Sequence, residues 1–191
     1  MIPDLDRIEE KASMLEHSKD VVMQQSRELI RAAGKAIAFM HAYGPAKAKK
    51  AIAGLRALNA KLSKAEPGLE YYAIQAHQEY TEAIALYFML MEKRIPSMDE
   101  IGEAEIPYLL GLMDVIGELK RESIESIRKG KLEDAKSYYA IMSDIYDSTL
   151  HMRFANSILP DFRRKQDVAR IQLESVMNEM LHISQEQHRM L

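Results

Sequence analysis

The chain has 191 residues, of which 47% are hydrophobic and 29% charged, a balance that fits a folded water-soluble protein rather than a disordered one. It contains no cysteine, which excludes disulfides, zinc–thiolate sites and thiol nucleophiles. The net charge of −3 hides an uneven distribution: residues 27–64 hold nine Lys and Arg against the single acid Glu28, while residues 65–118 are strongly acidic. Such asymmetry predicts one surface for polyanions and another for cations, or patches that pair with each other within the fold or between subunits.

Prolines at 3, 45, 67, 96, 107 and 160, together with Gly130, divide the chain into stretches of helical periodicity without alternating β-branched runs. The spacing predicts helices over 5–42, 46–64, 68–93, 107–128, 131–156 and 162–188. The expected fold is all-α, a bundle of about six or seven long antiparallel helices forming one domain over residues 1–191. The longest apolar run, Ala83 to Met91, is too short for the ~20 residues of a membrane span. The opening Met-Ile-Pro-Asp-Leu-Asp lacks a basic-then-apolar leader, so a cytoplasmic location is expected.

The first helix carries Arg27, Arg31 and Lys35 at i, i+4, i+8, a basic stripe suited to phosphates but equally a solvated face. The third helix shows an apolar stripe Leu69, Tyr72, Ala76, Tyr80, Ala83, Tyr87, Met91. At 100° per residue Glu79 falls about 80° from its centre, at the edge of the buried face, and Glu82 about 140° away, where a residue is ordinarily solvated. Tyr80 is a candidate stacking platform for a nucleic-acid base.

The segment Ile106 to Leu119, IPYLLGLMDVIGEL, has only Asp114 and Glu118 as charges in fourteen residues. A stretch apolar on nearly all sides is expected to be buried, and buried carboxylates need a partner, a hydrogen-bond network or a metal. The i, i+4 spacing puts both acids on one face. Gly111 and Gly117 flank Asp114, where missing Cβ atoms let a backbone or ligand approach. If this helix meets the third, four carboxylates form an all-oxygen set that suits Mg²⁺; ion pairs with Lys or Arg are the competing explanation.

Arg121, directly after the acidic pair, either faces RNA or neutralises Glu118 or Glu125. Arg163, Arg164 and Lys165 cluster where the last helix begins. That helix carries a seam Ala169, Leu173, Val176, Met180, Ile183, either core or an interface between subunits. The six histidines show no ligand spacing; His77 is expected at the surface or behind the acids.

The segments His77-Gln-Glu-Tyr-Thr-Glu-Ala83 and Pro107-Tyr-Leu-Leu-Gly-Leu-Met-Asp-Val-Ile-Gly-Glu-Leu-Lys-Arg121 resemble the translin family, in particular its TRAX (translin-associated factor X) branch. Ser18-Lys-Asp with Ser26-Arg27, and the run Leu159 to Arg170, are similar to the family's first helix and to the basic opening of its last. The resemblance implies helical subunits assembled into a closed oligomer around single-stranded RNA or DNA. For the TRAX branch it implies a Mg²⁺-dependent endoribonuclease, Mn²⁺ being an alternative, with Glu79, Glu82, Asp114 and Glu118 as metal-holding catalytic acids. The short Ile95–Ile106 linker points to a compact microbial or archaeal form and to a homo-oligomer of six to eight subunits. A binder of single strands that does not cut, and a helical adaptor, are the other two readings.

Overall fold

A computed structural model describes residues 4–189, with side chains through Ile183 and that of Gln185. Among the described residues the structure is α-helical throughout, without strands. The helices are α1 (Leu5–Tyr43), α2 (Lys49–Ala65), α3 (Ile74–Glu92), α4 (Met98–Ile101), α5 (Glu105–Arg128), α6 (Leu132–Thr149) and α7 (Phe162–Arg189). Helix α3 packs between α1 and α5, and α5 also meets α6 and α7. One hydrophobic cluster runs through these contacts, with Leu29, Leu55, Ile84, Leu86, Ile116, Leu119 and Met142 at its centre. No helix is long and apolar enough to cross a membrane.

The 39 residues of α1 span about 58 Å at 1.5 Å per residue. Its side chains are exposed through Asp20, and burial begins at Val22 and continues with Ser26, Leu29, Ala33, Ala36 and Met40. The seam in α7 divides: Ala169, Leu173 and Val176 are core, whereas Met180 and Ile183 are half-buried.

Three boundaries differ from expectation, each for a local reason. The third helix starts at Ile74 rather than near 68, because Gly68 takes φ 82° and the chain turns through a 3₁₀ segment, Glu70–Tyr72. The Gly68 N–H donates to the Glu70 carboxylate, which fixes that turn. The sixth helix stops at Thr149 instead of near 156. There the Gln166 amide donates to the Thr149 carbonyl, and Arg153 donates to the carbonyls of Leu150 and Met152, so side chains satisfy the terminal acceptors. The linker after α3 contains α4, opened by a capping box in which Ser97 and Glu100 exchange backbone and side-chain hydrogen bonds.

Helices α3 and α5 approach each other closely at Gly111. A Cβ there would lie 2.6 Å from Thr81 Cβ and 2.8 Å from the Gln78 carbonyl oxygen. The glycine is therefore a packing requirement, and it sets the separation of the two acid-bearing helices. Gly117 is less constrained, because only the amide end of Gln172 comes near, at 3.2 Å.

Candidate functional site

Helices α3 and α5 bring the four predicted acids into one electrostatic cluster. All of Glu79, Glu82, Asp114 and Glu118 are half-buried. Burial, and then the charges of Asp114, Glu79 and Glu118, push the Glu82 carboxyl up to about 8. Burial and Asp114 raise Glu79 in the same direction. The expectation that Glu82 is a solvated residue is therefore overturned. A stripe calculation assumes one buried face, but α3 is packed by α1 on one side and α5 on the other, so its far side is covered too.

Two protein cations enter the cluster. The Lys165 ammonium, on the first turn of α7, pairs with Asp114, and the Gln78 amide also donates to that carboxylate. The Lys165 charge lowers Glu79 and Glu82 against the larger upward effects. On the other side His41, from the last turn of α1, bonds Glu118 through Nε2 at 2.5 Å and Glu122 through Nδ1. Burial alone would lower the His41 pKa, but the hydrogen bonds and charges of Glu118 and Glu122 outweigh it and raise it to about 9. The imidazolium then donates from both ring nitrogens. The same contact holds Glu118 below the usual carboxylate range, against its burial and with help from Arg121.

The remaining basic residues are divided by the fold. Arg27, Arg31 and Lys35 are exposed on α1 and share no hydrogen bond or ion pair with the acids. Arg163 is exposed, and Arg164 pairs with Asp161 at 3.5 Å. Arg164 and Lys165 also line a small cavity with Asp114 and Gln172. Arg121 is exposed and its charge reaches both Glu118 and Glu125, which supports the neutralising reading of it.

Two expectations are corrected. Tyr80 is not a stacking platform: it is 2% exposed and its hydroxyl donates to the Ile101 carbonyl of α4. His77 is not at the surface: it is buried against Asn59, Glu103 and Glu66 at 2.8–2.9 Å. The His188 side chain lies outside the described residues. Sequence reasoning missed His41 and Gln78. Gln78 adjoins Glu79 in a recognised motif, whereas His41 lies 77 residues from Glu118 and carried no spacing signal.

A metal reading can be tested against this donor set. Among the described residues no three His, Asp or Glu side chains are gathered closely enough to form a ready cage. Yet burial, and after it the charges of neighbouring acids, raise Glu82 and Glu79, so a further positive charge would stabilise the ionised set. Oxygen donors from two helices with a surplus of negative charge are the chemistry that a hard divalent cation satisfies. The residues fit such an ion on condition that Lys165 gives up Asp114.

Comparison with known proteins agrees with this architecture. The chain is similar to an uncharacterized protein of Methanocaldococcus jannaschii, with 34% identity over 111 residues, covering 58% of this chain and 50% of that protein. The match thus spans half the length of that relative. Among solved structures, apo-NeC3PO superposes with a TM-score of 0.84 at 29% identity, covering 95% of this chain and 97% of that one. The complex of AfC3PO with duplex RNA superposes with a TM-score of 0.82 at 22% identity, covering 93% and 95%. The sequence model of the Translin family matches residues 11–184, nearly the whole acid-bearing bundle. This chain belongs to the Translin family.

Proposed function

We propose that this protein is a Mg²⁺-dependent endoribonuclease of the TRAX-like branch, cutting single-stranded RNA inside a closed homo-oligomer. The observation that carries the reading is the convergence of Glu79, Glu82, Asp114 and Glu118 on facing helices, with Glu82 raised to about 8 by burial and then by its acidic neighbours. Structural likeness to an AfC3PO complex with duplex RNA supports RNA as the ligand. The preference for single strands and the closed assembly rest on the family resemblance.

Glu79, Glu82, Asp114 and Glu118 would hold the cation. When bound there, such an ion would supply polarisation of a phosphodiester and a lower pKa for bound water. Lys165, once displaced from Asp114, would be free to meet a phosphate oxygen. Left out of direct ligation, Glu82 would be the carboxylate suited to accept a proton. His41 fixes the orientation of the Glu118 carboxylate.

One observation favours a second reading, a single-strand binder that does not cut: Lys165 and His41 already neutralise Asp114 and Glu118. Purified wild type and Glu118→Gln, given a fluorescent single-stranded RNA with Mg²⁺ or EDTA, separate the two. Cutting that requires Mg²⁺ and disappears in the variant at unchanged oligomer size is the expected result. Binding without cutting by the wild type would transfer the assignment to the binder.

A further inference from the structure

A cavity of about 580 Å³ lies where the end of α2, the start of α3 and the linker through α4 into α5 meet. That volume is within the roughly 300–1,000 Å³ of small-molecule sites. Five acids line it, Glu66, Glu70, Asp99, Glu103 and Glu105, and no Lys or Arg does. Ile74, Ile106 and Pro107 contribute an apolar wall. His77 also lines it and stands two residues before Glu79, about 200° around α3, so the cavity is separate from the Glu79 cluster.

Its two innermost carboxylates are only half used. Glu103, whose side chain is 4% exposed, accepts from His77 at 2.8 Å and from Asn59 at 2.6 Å, both through Oε1. Its Oε2 accepts nothing. Glu66 meets His77 at 2.8 Å through Oε2 and leaves Oε1 unbonded. Among the described residues the enclosed side-chain atoms without a partner are Gln25 Oε1 and Thr81 Oγ1. The two unbonded glutamate oxygens are therefore not sealed in protein, and they open onto the cavity that both residues line. His77 supplies at most one positive charge to the two carboxylates that it bridges, and the exposed Glu70, Asp99 and Glu105 add negative charge at the mouth. A buried carboxylate oxygen left in this state is costly until a cationic donor meets it.

The distribution of this charge selects the kind of cation. A divalent ion needs several oxygens around one point, and among the described residues no three acidic or histidine side chains are so gathered. Acids spread over a cavity with an apolar wall suit a longer cation whose charges are separated by methylene groups. We propose that this cavity binds a linear aliphatic polyamine. One ammonium is received by Glu103 and Glu66 and a second by Asp99 and Glu105, with the methylenes between them on Ile74, Ile106 and Pro107. Glu66 follows the last residue of α2, His77 belongs to α3 and Glu103 to the linker before α5, so an occupant ties these three segments together. The site does not depend on the nuclease reading.

The experiment is a calorimetric titration of the assembled protein with spermidine, in EDTA and at fixed ionic strength. Saturable binding is expected for wild type. E103Q is expected to weaken it by about tenfold, the loss of one charge-assisted hydrogen bond. D99N/E105Q, altered at two exposed positions, is expected to bind more weakly as well. E9Q/E10Q, which removes the same charge from the exposed start of α1, and D114N, in the other acid cluster, are expected to bind as wild type does. A wild type that binds no spermidine saturably would overturn the proposal. So would equal affinity of wild type and D99N/E105Q, the comparison that serves should E103Q not assemble. Loss of binding in D114N but not in D99N/E105Q would move the amine to the other acids and overturn it too.

Discussion

His41 joins the last turn of α1 to the middle of α5: its Nε2 lies 2.5 Å from the Glu118 carboxylate while its Nδ1 bonds Glu122. The histidine side chain is only 5% exposed, so this ion-paired link sits at the edge of the core rather than in bulk solvent. It makes one of the four acids depend on a helix that carries none of them.

The link predicts an alkaline loss of stability. The folded His41 pKa, about 9, lies above the ordinary 6.5. Its contribution is therefore fully present below about 6.5 and is lost as pH rises through about 9. His41→Gln removes that dependence. Chemical denaturation at pH 6, 8 and 10, at fixed protein concentration, is expected to show a larger decline for wild type than for the variant, which keeps only the fall due to Glu82. A parallel decline in both would contradict the assignment.

Glu82 acts in a lower window with the same sign. Its folded pKa, about 8, exceeds the ordinary 4.5, so the folded state holds a proton that the unfolded chain releases between those values. Stability falls as pH rises across that range. Glu82→Gln mimics the protonated acid and is expected to melt higher than wild type at pH 8 but not at pH 4. A gain of each ~1 kcal/mol corresponds to roughly 2–4 °C in a protein of this size. Equal melting shifts at both pH values would show that Glu82 is not coupled to its acidic neighbours.

Mg²⁺ would replace the missing positive charge, so it is expected to raise the melting temperature of wild type. A site filled at one hundred times its dissociation constant contributes about 2.7 kcal/mol. Asp114→Asn is expected to lose most of that response. Lys165→Met, which frees Asp114 from its ammonium partner, is expected to be less stable in EDTA and to gain more from Mg²⁺ than wild type does. Thermal melts with Mg²⁺ titration check both, and a Lys165→Met response no larger than that of wild type would remove the lysine from competition for the site.

Two glycines on one helix are expected to behave oppositely. Gly111→Ala drives a methyl group into Thr81 and the Gln78 carbonyl, neither of which is a mobile side-chain end. The overpacking is expected to cost about 1–3 kcal/mol, offset by the ~1 kcal/mol propensity gain. Gly117→Ala meets only the Gln172 amide, which is free to shift, and is expected to be neutral or stabilising. Urea denaturation of the two variants measures the contrast.

Much of the architecture was legible along the chain because helix positions follow from local rules. The run Ile106 to Leu119 declared its own burial by being apolar all round, and Gly111 its close contact by lacking a Cβ. Glu82 was misread for the converse reason. Its surroundings include Asp114 and Glu118 of α5 and Lys165 of α7, and a single-helix projection contains none of them. The end of α6 at Thr149 was missed because Gln166, in the next helix, captures its last carbonyl.

The sequence by itself determined an all-helical chain with acids on two helices, since periodicity, proline placement and charge spacing act within a few residues. Only the tertiary structure decided which cations meet those acids. Lys165 lies 51 residues from Asp114 and His41 lies 77 from Glu118, and nothing local ties such partners together. Their pairing follows from the packing of α3, α6 and α7 around α5 and of α1 against α3, where the shared hydrophobic core sets the geometry and the polar contacts adjust to it.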